Sequence, residues 1–150
     1  MRRSVRYAGV VAALLLLPLT ACGENSVESY CGEVRENRRQ LAEMVSSEQG
    51  PEALLDGLPL LRDLAGEAPD DISDEWQTFL NAVENLDAAL DDAGVSPEEF
   101  EGGRPPADLS PAEEQAVADA ASGLTTEEVA GAAGGIEQQA RDVCKVNFGL

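Results

Sequence analysis

Histidine is absent from this chain, and the other residues that usually carry catalysis are scarce. Its 150 residues include three cysteines, one tryptophan, two tyrosines and three phenylalanines. Without histidine there is no Ser-His-Asp or Cys-His nucleophile and no histidine-ligated zinc. Neither G-x-x-x-x-G-K-[ST] nor G-x-G-x-x-G occurs, and Gly102-Gly103-Arg104-Pro105 cannot replace either phosphate cradle. Basic residues number ten against 29 acidic ones, with Lys145 the only lysine. Nucleic-acid partners depend on Lys and Arg neutralising phosphates, so they are excluded. No apolar run reaches the roughly 20 residues of a membrane-spanning helix. The aromatics are Tyr7, Tyr30, Trp76, Phe79, Phe100 and Phe148. A core of Leu, Val and Ala follows, which favours close-packed helices over a sheet built on β-branched and aromatic alternation.

The first residues carry the sharpest signal. Met1 to Arg6 is basic, Tyr7 to Leu19 is apolar for about a dozen residues, and small residues follow. This order describes an export signal. Leu19-Thr20-Ala21-Cys22 then resembles a bacterial lipobox. The resemblance implies cleavage before Cys22 and a diacylglyceryl group on its sulfur, with conventional cleavage and a free Cys22 as the alternative. Two acyl chains on one residue suffice for a stable anchor, whereas one is marginal. The expected organisation is a signal peptide over residues 1–21, lipidated Cys22 with a tether to Asn25, and a helical domain over 26–150.

Lipidation of Cys22 leaves Cys31 and Cys144 to pair, which the oxidising side of a membrane permits. Two separate buried thiols are the alternative. A bond closing a loop of over a hundred residues is worth about 4–5 kcal/mol in the chain-entropy model. Loss of Arg2, Arg3 and Arg6 with the leader leaves seven basic residues against 29 acidic ones, a net charge of about −22.

Helical spacing organises the rest. Ser26 is a candidate N-cap for a stripe through Val27, Tyr30, Cys31, Val34, Leu41, Met44 and Val45, interrupted at Asn37-Arg38. Gly50-Pro51 opens a second helix carrying Leu54, Leu55, Leu58, Leu61 and Leu64, bent by Gly57 and Pro59. Ile72, Trp76, Phe79, Leu80, Val83, Leu86 and Leu90 form the clearest amphipathic helix, ending at Gly94; Trp76 reads as a core anchor. Ser96 to Phe100 offers one turn, and 101–109 is loop. Ser110-Pro111-Ala112-Glu113 has the cap, N1 proline and capping-box acid of a helix to about Ser122. The last helix starts at Thr125 or Thr126 and runs to 146, with Val129, Ala133, Ile136, Ala140 and Val143 on one face. Gly131, Gly134 and Gly135 inside it either break the helix or permit close backbone approach, and close approach with tight packing is the reading favoured. The fold class expected is all-α: a four-helix-bundle-like domain with one extra short helix and one disulfide.

Tyr30-Cys31 early in the first helix, Ala68-Pro69 before the Trp76 helix, and Ala140-Arg141-Asp142-Val143-Cys144 near the end together resemble a group of small actinobacterial lipoproteins of unassigned function. The resemblance implies a helical fold and an envelope location, and no activity.

Carboxylate pairs abound, such as Asp70-Asp71, Asp74-Glu75, Glu113-Glu114 and Glu127-Glu128. Most fall in first helical turns, where acids complement the macrodipole, so they signal neither glycosidase chemistry nor, without EF-hand spacing, a calcium loop. No catalytic residue, metal ligand or cofactor is expected, and the protein reads as non-enzymatic. Arg35, Arg38, Arg39, Arg141 and Lys145 cluster in sequence near the disulfide. They suggest an end facing anionic headgroups, unless local acids such as Glu33, Glu36 and Asp142 pair with them. The function expected first is a membrane-anchored interaction or structural module on the extracytoplasmic face of the cytoplasmic membrane. Its partners would be the membrane, through Cys22, and an unknown envelope protein. The alternative is a carrier of a small apolar ligand or lipid, which requires a lined cavity of several hundred Å³.

Overall fold

Helices account for the regular structure of the described residues. A computed structural model describes residues 26–46, 50–99, 106 and 108–148. The leader, Cys22 with its tether, Phe100 and most of the 101–109 loop lie outside the described residues. Those described form α1 (Val27–Glu36), α2 (Arg38–Val45), α3 (Gly50–Asp56), α4 (Leu58–Glu67), α5 (Ser73–Ala93), α6 (Pro111–Gly123) and α7 (Glu127–Asp142). Short 3₁₀ turns span Asp70–Ile72 and Pro97–Glu99. Among the described residues there is no strand, and the fold is all-α.

Local chemistry explains where the helices begin and break. Ser26 caps α1 by accepting from the Ser29 N–H at 3.1 Å, and Thr126 caps α7 through the Val129 N–H at 3.3 Å. The stripe expected on a single first helix, with a solvent-facing gap at Asn37-Arg38, is carried by two helices that break there. The Asn37 side chain donates to the Glu33 carbonyl at 3.0 Å, which the Asn37 backbone N–H also uses. A side chain competing for a helical carbonyl in this way commonly ends a helix. Gly57 separates α3 from α4, because Pro59 cannot continue a helix already under way. Gly57 also makes room: a Cβ there would collide with the end of the Met44 side chain. Gly94 closes α5 in the left-handed region at φ 66°, with its N–H on the Asp91 and Leu90 carbonyls.

Three contacts define one end of the molecule. Ser29 Oγ donates to Glu67 Oε2 at 3.2 Å, joining the start of α1 to the end of α4. Trp76 Nε1–H donates to Tyr30 Oη at 3.0 Å, adding the start of α5. Cys31 and Cys144 are bonded, with their Cα atoms 4.9 Å apart, bringing in the chain just past α7. The up-and-down order expected from the cysteines follows: α1–α2, α3–α4, α5 and α7 run as four rods. α6 is the extra helix, packed on α5.

Several expectations need correction. Val27, Val45 and Val143 sit on the apolar stripes yet are each about 40% exposed, at 42%, 40% and 41%. α7 stops at Asp142 rather than 146, because the Cys144 N–H turns back to the Gln139 carbonyl at 3.2 Å and Lys145 adopts φ 60°. That turn lets the Val146 N–H reach the Ala140 carbonyl at 2.9 Å and buries Val146. The glycines of α7 do not mark close approach. A Cβ on Gly131 or Gly134 would meet nothing within 4 Å, and one on Gly135 would meet only the Glu75 side chain, at 3.0 Å.

Candidate functional site

The open side of α7 faces an apolar cleft. The stripe Ala130, Ala133, Gly134 and Glu137 forms one wall, at the i, i+3, i+4, i+7 spacing of a single helix face. Opposite stand Val34 of α1 and Leu41, Met44 and Val45 of α2. Trp76 and Phe79 lie beneath, and Phe148 of the C-terminal segment lines the cleft as well. The cavity holds about 360 Å³. It exists because α1–α2 and α7 are tied together at the disulfide while small side chains keep the α7 wall low.

The floor is rigid. Tyr30 is fully buried and meets Trp76 edge-on, with ring centroids 6.3 Å apart and planes at 82°. Phe79 also packs edge-on against Trp76, at 6.5 Å and 74°. Such pairs add about 0.5–1.5 kcal/mol beyond area burial. Burial pushes the Tyr30 hydroxyl up from 10.0 to about 12, with the Trp76 hydrogen bond opposing and the Asp71 charge adding to the rise. Tyr30 therefore stays neutral in the core.

Among the described residues one charged side chain lines the cleft, Glu137, whose Oε1 receives Arg141 Nη1 at 3.3 Å. Arg141 also lies 3.6 Å from Asp142. Of the other cations singled out in the sequence, Arg35 and Lys145 gather with Arg141 around the Asp142–Cys144 turn, and Arg38 and Arg39 lie apart from them. Arg35 Nε–H donates to the Cys144 carbonyl at 3.0 Å, and Lys145 Nζ to the Asp142 carbonyl at 2.6 Å. Arg38 and Arg39 line a separate polar hollow with Glu36, Glu43 and Asp56, and Arg39 approaches Glu43 at 4.0 Å. Local pairing, rather than one cationic face, describes Arg39 and Arg141.

Of the other sequence candidates, the acid pairs at Asp74-Glu75, Glu113-Glu114 and Glu127-Glu128 occupy first turns of α5, α6 and α7. Among the described residues no three Cys, Asp or Glu side chains are grouped so as to hold a metal ion. No described helix is long and apolar enough to cross a membrane. Sequence reasoning found Trp76 as a core anchor but missed the α7 wall and Glu137. A run of Ala and Gly on one helix face signals either close packing or an open wall, and only the position of the facing helix decides which. The chain matches no known family model, and no curated protein or solved structure matches it either.

Proposed function

We propose that the protein is an envelope lipoprotein, anchored to the cytoplasmic membrane through lipidated Cys22, whose helical domain carries one apolar chain in the α1–α2/α7 cleft. The cleft carries this reading. Its volume of about 360 Å³ lies at the small end of ligand sites. At roughly 30 Å³ per water- or methylene-sized group, that is room for about a dozen groups. That volume matches a single apolar chain. The absence of histidine and the bonded state of Cys31 and Cys144 favour binding over catalysis. The interaction-module reading that the sequence puts first has no comparable feature behind it. The anchor rests on the leader and on Leu19-Thr20-Ala21-Cys22, and the likeness to small actinobacterial lipoproteins is part of the same proposal.

Filling the cleft tests the reading. A neutral naphthylamine dye excited by energy transfer from Trp76, the only tryptophan, should bind the wild-type protein and be displaced by dodecanol. Ala133→Phe puts a ring into the cavity from a half-buried wall position and should abolish the transfer while the far-ultraviolet circular dichroism is unchanged. Equal binding by A133F would sink the carrier and return the interaction module to first place. Intact mass spectrometry of the membrane-derived protein checks the anchor independently, and an unmodified Cys22 would remove it.

A further inference from the structure

We infer that the apolar chain held in the cleft ends in a cationic head, a protonated amine or a quaternary ammonium, seated on the Glu137 carboxylate. The inference rests on the carrier reading and adds the chemistry of the ligand's polar end. Glu137 is the only charged side chain among the described residues lining the cleft. The remainder of the lining is apolar apart from the buried Tyr30 hydroxyl, which already accepts from Trp76. A single-chain amphiphile lying along α7 therefore meets one charge, and it is negative.

Glu137 is occupied by Arg141, but loosely. The pair is an i,i+4 contact at 3.3 Å with the Arg141 side chain half exposed, the kind of ion pair that contributes little in water. Arg141 also has a second acid at hand, Asp142 at 3.6 Å. An incoming ammonium can take Glu137 while the guanidinium keeps Asp142, so neither charge is left alone.

An anionic head has no such exchange. It would have to displace Glu137 from Arg141 and then remain beside both the Glu137 and Asp142 carboxylates. Arg35 and Lys145 keep their charge while donating to backbone carbonyls, but neither lines the cleft, and Arg38 and Arg39 line the other hollow among three acids. The formal charge of −19 adds long-range attraction for a cation. Screening limits that attraction to about 8 Å at physiological salt, so the choice of head falls to the contact at Glu137.

The test uses Trp76, which lines the cleft and reports on it alone. The full-length chain, held in zwitterionic lipid nanodiscs, is titrated with terminally brominated dodecyl probes whose heads are an amine, an alcohol or a carboxylate. Bromine quenches tryptophan only at near contact, so probe dissolved in the bilayer is silent. The amine should quench at roughly fivefold lower concentration than the alcohol, as expected of a partly exposed ion pair, with the carboxylate weakest. Glu137→Gln should erase the advantage of the amine over the alcohol measured on the same variant, whereas Arg141→Gln should enlarge it. An amine no better than the alcohol, or an advantage that survives E137Q and so belongs to the net charge, overturns the cationic head and leaves the carrier standing. Absence of quenching by all three probes removes the cleft reading itself.

Discussion

α5 enters two different cores. Its first turns carry Trp76 and Val83 into a large cluster with Tyr30, Val34, Leu61, Leu64 and the Cys31–Cys144 bond. Its last turns carry Leu86 and Leu90 into a small cluster whose third buried member is Val117 of α6. The first region is held by rings, a buried hydrogen bond and a covalent link between residues far apart in sequence. The second relies on signals local to α6: the Ser110 cap, Pro111 at N1 and Glu113 closing the capping box. Regions with few buried apolar contacts open at lower free energy than the global fold. α6 should therefore be the weaker unit, and the apolar cleft sits on the stronger one. A cleft for a ligand needs walls that do not close when it is empty.

The largest expected effect comes from removing the covalent link. Reducing Cys31–Cys144, or replacing both residues by Ala, releases a loop spanning 113 positions, worth about 4–5 kcal/mol in the chain-entropy model. Urea unfolding should show a loss of that size. Hydrogen exchange should show amides of α1 and α5 losing most of their protection advantage over α6. If α6 already exchanges as slowly as α5 in the oxidised protein, the contrast between the two regions is wrong.

The second effect tests the buried polar pair. Tyr30→Phe leaves Trp76 Nε1–H without its acceptor in the core, at a cost of about 1–3 kcal/mol. The alkaline limb sharpens the point. The Tyr30 pKa is raised to about 12 in the folded state, so its contribution is complete below 10, shrinks as pH rises above 10 and is gone beyond about 12. Wild-type stability should fall across that window and Y30F should fall less; parallel curves for the two proteins would contradict a buried, neutral Tyr30.

In the α6 region the expected change is smaller. Ser110→Ala removes the cap, for about 1 kcal/mol, and should raise exchange in the first turn of α6 while leaving α1 untouched. Glu113 is held below the usual glutamate value of 4.5 by its hydrogen bonds with the Ser110 hydroxyl and backbone. Its stabilisation is present above that value and is lost as pH falls through the lowered one. Glu113→Gln should flatten this acid-side fraying of α6, and fraying unchanged in E113Q would place its cause elsewhere.

The same contrast explains what the sequence made legible. α6 was readable to within a residue because its boundaries are written in adjacent side chains, Ser110, Pro111 and Glu113. Gly94 announced the end of α5 in the same way. Tyr30 and Trp76 were visible as apolar positions, but their hydrogen bond joins residues 46 positions apart, and no local pattern encodes it. The bond between Cys31 and Cys144 was legible only through counting, after Cys22 had been assigned to lipid. The cleft was misread because Ala130 to Gly135 looks the same against a neighbouring backbone or against open space. Asn37 was noticed as a gap, yet its competition for the Glu33 carbonyl depends on a rotamer that spacing does not specify.

The smallest effect concerns the outer surface of the stronger region. Arg62 of α4 reaches across to α5, with Nε 2.7 Å from Glu84 Oε1 and Nη2 3.9 Å from Asp87 Oδ2. The side chains are between 37% and 49% exposed, so water and salt screen much of the attraction. Pairs of this kind are worth about 0.2–1 kcal/mol. Arg62→Gln should therefore cost less than Tyr30→Phe despite the shorter contact, and the cost should fade in molar salt. In so acidic a chain, loss of the cation also leaves Glu84 and Asp87, three residues apart on one face of α5, to repel each other. If R62Q costs as much as Y30F, or its cost persists in molar salt, the strength of this region owes more to the α4–α5 surface than to the rings beneath it.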